Sequence, residues 1–131
     1  MPVISNVFYK DIDILFGNHP VTRKLNTLTN NAAVARAVKN LILTNKGERP
    51  YQPFLGGDVN AMLFELNDGT VESELEDAIR LTLHNYEPRA ELLSTFVDAN
   101  ADRHTVNVEI TFRVVNQVEP ITLNLILERV R

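Results

Sequence analysis

The sequence predicts an α+β fold: an N-terminal arm and three helices, followed by a C-terminal antiparallel β-meander of about three strands. Three observations carry that prediction. Before Pro88, apolar residues recur at three- and four-residue intervals. After it they recur at every second residue. The length, 131 residues, suffices for one hydrophobic core and leaves little for a second, so residues 1–131 are expected to form a single domain.

The first 28 residues mix short apolar stretches with Gly17 and Pro20 and read as an irregular arm, with extended pieces expected at Ile12–Phe16 and Lys24–Leu28. Asn30 and Asn31 then offer N-cap oxygens to a helix with Ala33, Val34, Ala37, Val38, Leu41 and Ile42 on one face. Lys46 and Gly47 supply a basic last turn and a C′ glycine, which places the helix end near Thr44. Residues 48–57, ERPYQPFLGG, hold two prolines and two glycines and must form a loop. Asp58 caps a short helix that turns Val59, Met62, Leu63 and Leu66 to the core and stops at Asn67-Asp68-Gly69. Thr70 opens the longest helix, whose apolar stripe is Val71, Leu75, Ala78, Ile79, Thr82 and Tyr86. Glu72, Glu74, Glu76 and Asp77 crowd its first two turns, where the positive end of the helix dipole favours them. That accounts for the acidic cluster without a metal or an acid catalyst.

Pro88 excludes Glu87 from the α region and ends this helix at about Tyr86. A loose strand at Leu92–Val97 precedes the loop 98–104. Val106, Val108, Ile110, Phe112 and Val114 then alternate with polar residues, and Ile121, Leu123, Leu125 and Leu127 do so again after a turn at 116–120. A meander this small leaves a sheet edge. Either the N-terminal arm covers it or it accepts a strand from another chain.

Composition removes several classes of function. The chain has no cysteine, so disulfides and thiolate chemistry are out. Its start lacks the basic and apolar regions of a secretory signal, and no apolar run approaches the ~18 residues of a membrane span. A chain that folds in water, with no membrane partner, is expected. The net charge of −4 is unevenly placed: residues 1–57 carry seven Lys/Arg against three Asp/Glu, residues 58–91 two against nine. No basic run is interleaved with aromatics, so no nucleic acid partner is expected. His19, His84 and His104 have no ligand-type neighbour at helical spacing, and no phosphate-binding glycine motif or nucleophile elbow occurs. Seventeen acidic residues guarantee that some carboxylate pair can be named, but none stands out. No metal, cofactor or enzymatic activity is expected.

The segment Asn85-Tyr86-Glu87-Pro88-Arg89-Ala90-Glu91-Leu92 sets a full negative and a full positive charge on either side of a proline. Arg89 carries a planar fork suited to a carboxylate. It either pairs within the chain, bracing the helix–strand corner, or reaches a partner's acid; composition leaves both open.

Four short tracts, in order, resemble the lysozyme-like baseplate wedge proteins of contractile phage tails and their relatives in type VI secretion baseplates. They are His19-Pro20-Val21-Thr22, Leu43-Thr44-Asn45-Lys46-Gly47-Glu48-Arg49, Leu63-Phe64-Glu65 and Tyr86-Glu87-Pro88-Arg89. The resemblance runs through residues 11–115. It implies a structural protein of the virion tail baseplate, assembled in the host cytoplasm, that binds the helical core bundle of the wedge and initiates the tail sheath. On that resemblance Glu87, Pro88 and Arg89 form the wedge-binding signature, supported by Gly47, Glu48 and Arg49. The hairpin of residues 106–129, with Ile121, Leu123, Leu125 and Leu127, joins strands of the sheath protein. The rivals are a lysozyme-like cell-wall hydrolase, a type VI or other contractile injection baseplate component, and a regulatory binder sharing the fold.

Overall fold

The computed structural model describes residues 8–64, 70–100 and 105–128. The fold is α+β, closing on a three-stranded antiparallel sheet. The arm differs from expectation. Strands β1 (Lys10–Ile12) and β2 (Thr27–Thr29) pair antiparallel, and an Asn18–Leu25 bridge narrows the loop between them. Residues 13–16 are not extended: the Asp13 carboxylate accepts from the Leu15 N–H, and its carbonyl accepts from the Phe16 N–H at 2.9 Å. A short acidic side chain that bonds nearby backbone turns the chain there.

Helix α1 (Asn30–Leu43) buries Ala33, Val34, Val38, Leu41 and Ile42 and ends where expected. Its start corrects the predicted N-cap, because the capping position, Thr29, makes no side-chain cap. Asn30 lies at φ +45° and turns its Oδ1 to the N–H groups of Phe8 and Tyr9 at 2.9 and 3.3 Å. Asn31 Oδ1 is buried without a hydrogen-bond partner. Asparagine tolerates the left-handed region, and here that turn aims its amide at the arm. Gly47 is not the C′ residue either. It sits beyond Thr44 at φ +81°, donating its N–H to the Pro53 carbonyl at 2.7 Å.

Asp58 precedes α2 (Val59–Leu63) at φ +50° without capping it; its carboxylate takes the Lys46 N–H at 3.1 Å instead. Leu66 and the stop at 67–69 lie outside the described residues. Helix α3 (Val71–Tyr86) buries Val71, Leu75, Ile79 and Thr82 from the expected stripe, and Leu83 besides. Leu83 lies one turn after Ile79, so the stripe drifts round the helix instead of running straight to Tyr86. The Glu72 carboxylate, at the start of α3, accepts the Ala99 N–H at 3.1 Å.

Strands β3 (Ala90–Asn100), β4 (Thr105–Val114) and β5 (Pro120–Glu128) follow in spatial order β3-β4-β5. Inward residues Val106, Val108, Ile110, Phe112 and Val114 join α1, α2 and α3 in one core, with Val97, Leu125 and Leu127. Strand β3 is longer than expected at both ends. A bulge between Leu92 and Ser94 leaves Leu93 exposed, so its apolar residues do not alternate along the chain. Among the described residues the arm forms its own two-stranded sheet and adds no strand to the main one.

Candidate partner-binding site

The corner between α3 and β3 is built from one short run. The Glu87 N–H makes the last helical bond, to Leu83 at 3.0 Å, and Glu87 itself leaves the helix at φ −131°, ψ 72°. Pro88 requires that departure. The Ala90 N–H returns to the Glu87 carbonyl at 3.1 Å, and the Val115 N–H bonds the Arg89 carbonyl at 2.9 Å, so the corner is held against the end of β4.

The two charges meet each other. Arg89 Nε and Nη2 donate to Glu87 Oε1 and Oε2 at 2.6 and 2.8 Å, a bidentate pair. Of the two readings left open by composition, the intrachain pair is the one present. Glu87 is 6% exposed, whereas 34% of the Arg89 side chain remains accessible. The Glu87 hydrogen bond holds the Arg89 guanidinium above its ordinary pKa, against the opposing cost of partial burial. The Tyr9 ring lies on the guanidinium, 5.5 Å from its central carbon to the ring centre. A pair two residues apart would not otherwise fix a guanidinium; burial of Glu87 and the tyrosine face do so.

The second element, residues 44–58, folds against the same helix. Asn45 N–H is capped by the Glu48 carboxylate at 2.9 Å, and Arg49 offers its carbonyl to the Gln52 N–H at 3.3 Å. Gly56, at φ +127°, admits no side chain: a Cβ would stand 2.3 Å from the Thr44 carbonyl oxygen. Tyr86 Oη donates to the Phe54 carbonyl at 2.8 Å, linking this loop directly to the 86–89 run. The family resemblance put Gly47, Glu48 and Arg49 beside Glu87, Pro88 and Arg89; what the structure joins directly is Phe54, further along the same loop, and Tyr86. Sequence reasoning missed Tyr9, which has no motif and lies far off in the chain. Beside the corner a cleft of about 490 Å³ is lined by Arg80, His84, Glu87, Pro88, Glu91 and Val115 among others.

The hairpin residues sit elsewhere. Leu125 and Leu127 are buried, and Ile121 and Leu123 pack partly against the core. Their side chains therefore face inward. What β5 offers outward is a backbone edge unpaired among the described residues and the opposite face, where Ile126 is 69% exposed. His19 has a local duty: its Nδ1 accepts from the Val21 and Thr22 N–H groups, closing the turn of the first tract. Among the described residues no acidic or histidine cluster could hold a metal ion. Nor, among the described residues, is any helix long and apolar enough to cross a membrane.

Comparison with known proteins gives this geometry a context. Residues 29–119 match the family model described as baseplate wedge protein gp25. The chain is 35% identical over 130 residues to the baseplate wedge protein gp25 of Enterobacteria phage T4, covering 92% of each. In fold it resembles a Geobacter sulfurreducens protein provisionally named a tail lysozyme, with TM-score 0.67, 23% identity and coverage of 75% and 89% of the two chains. A chain of the anti-feeding prophage baseplate gives TM-score 0.63 and 15% identity, over 94% and 87%. One of the type VI secretion baseplate complex gives 0.60 and 15%, over 72% and 88%. The family is structural, and the likeness to the neighbour named a tail lysozyme, at 23% identity, is one of fold alone. This chain belongs to the gp25 family of baseplate wedge proteins, structural components of contractile tails and not enzymes.

Proposed function

We propose that this chain docks into a contractile phage baseplate through the 86–89 corner and the 44–58 loop, against the helical core bundle of the wedge. One observation supports this most: a buried carboxylate holds an arginine, one third accessible, at the surface, and Tyr86 ties the 44–58 loop to the same corner through Phe54. Rigid, partly exposed arginines are frequent anchors of interfaces, since little ordering cost remains on binding. Co-purification with the neighbouring tail proteins tests it. Wild-type protein should retain the wedge partner and Arg89→Lys, which keeps charge but loses the fork, should retain much less. Equal recovery would remove the corner from the interface.

We further propose that β5 receives a strand of the tail sheath protein and so starts the sheath. The edge of β5, open among the described residues, supports this, since its pairing with β4 runs without a bulge, whereas β3 is bulged. Edge addition takes its affinity from backbone bonds, consistent with inward side chains at Ile121, Leu123, Leu125 and Leu127. The absence of cysteine makes site-specific cross-linking clean. Asn124→Cys should cross-link to sheath protein in assembled tails, and Ser94→Cys on the bulged strand should not. Cross-linking from Ser94→Cys alone would reverse the assignment.

A further inference from the structure

We infer that Tyr9 is a positioning residue for Arg89, setting the plane in which the arginine presents its remaining N–H groups to the docked partner. The inference rests on the corner being the docking site. Tyr9 lies in the arm, outside the 29–119 segment that the family model covers. Its main chain is clasped by Asn30, which takes the Tyr9 N–H on its side chain and gives its own N–H to the Tyr9 carbonyl at 2.8 Å. Its ring is partly buried against the core and stands over the Arg89 guanidinium. The guanidinium is thus held by two hydrogen bonds to Glu87 and lies over the Tyr9 ring.

A guanidinium has five N–H groups, and Glu87 engages two nitrogens with one bond each. The other three are free to meet a partner on the accessible side. The acceptor that fits is a neutral one, a main-chain carbonyl. Glu87 already neutralises Arg89, and Asp11 adds further negative potential there. An incoming carboxylate would meet that excess of negative charge; a carbonyl would not.

The test compares affinity for the wedge partner purified with wild-type protein in the co-expression experiment, using Tyr9→Leu, Tyr9→Phe and Asn30→Gly. Tyr9→Leu should weaken binding about threefold to tenfold, the range of one cation–π contact, while Tyr9→Phe, which keeps the ring face, should bind as wild type. Asn30→Gly tolerates the positive φ and keeps the main-chain bond to the Tyr9 carbonyl, but loses the side-chain half of the clasp, and should weaken binding in the same direction without touching the ring. It also serves if Tyr9→Leu fails to fold. In an Arg89→Gln background, Tyr9→Leu should cause no additional loss. Equal binding by Tyr9→Leu and wild type, equal loss in Tyr9→Phe and Tyr9→Leu, or full additivity with Arg89→Gln would each overturn the inference. If Arg89→Lys itself binds normally, it is the docking assignment that fails. Raising salt separates the acceptors: affinity falling steeply would indicate a carboxylate and overturn the carbonyl assignment.

Discussion

Arg89 and Glu87 show how much depends on a side chain that the sequence could name but not orient. Arg89→Ala would leave the Glu87 carboxylate buried without its partner. Breaking a fully buried pair costs ~3–5 kcal/mol. With a third of Arg89 accessible, water relieves part of this, and about 1–3 kcal/mol is expected in denaturant unfolding. A loss below ~0.5 kcal/mol would show that the pair braces nothing. Because the folded state holds the Arg89 proton more tightly, this contribution is complete below the ordinary arginine pKa and lost only above the raised one. Stability near neutral pH should therefore owe no pH dependence to Arg89. Gly56→Ala belongs at this scale too. It forces a methyl onto the Thr44 carbonyl at an unfavourable φ, and should cost more than ~1 kcal/mol by thermal or denaturant unfolding. An unchanged midpoint would mean that the loop base can rearrange. By contrast the surface pair of Arg113 and Glu91, both about half exposed, is worth little.

Helices and strands were legible wherever one period ran uninterrupted. The alternation of Val106 to Val114 and of Ile121 to Leu127 gave β4 and β5 almost to the residue, because a half-buried strand repeats every second position. Strand β3 was read short, since its bulge slips the inward positions from Ala90 and Leu92 to Thr95, Val97 and Ala99, breaking the two-residue period. The helix starts misled for another reason. Asn30 and Asp58 are good capping residues by type, but tertiary partners, the arm and Lys46, took their side chains. Element energetics also limit which experiments are informative. Removing residues 121–131 would strip Leu125 and Leu127 from the core along with the edge, so lost assembly would report unfolding. Point changes separate the two faces of β5. Leu125→Ala should cost ~2–4 kcal/mol by denaturant unfolding, and Ile126→Thr, on the open face, under ~1 kcal/mol. Similar losses at both positions would mean that β5 is covered on both sides.

Taken whole, the chain puts its two candidate contact regions on different parts of one core. The corner and its loop close the C-terminal end of α3, while β5 forms a margin of the sheet. An anchor at one place and an open strand at another suit a protein that fixes one neighbour relative to a second. The family tracts made the corner legible, because Pro88 must break the helix and a charged residue flanks it on either side. Neither the pairing direction of Arg89 nor its contact with Tyr9 could be read: the first depends on the burial of Glu87 and the second on how the arm folds back. The most direct measurement of the central claim is recovery of the wedge partner from cells co-expressing the neighbouring tail proteins, with wild-type protein beside Arg89→Lys at matched folded concentration. Strong recovery by wild type and a marked loss in the variant would establish the corner as the docking point. Equal recovery by both would show that the Glu87–Arg89 pair is an internal brace alone, with docking elsewhere on the molecule.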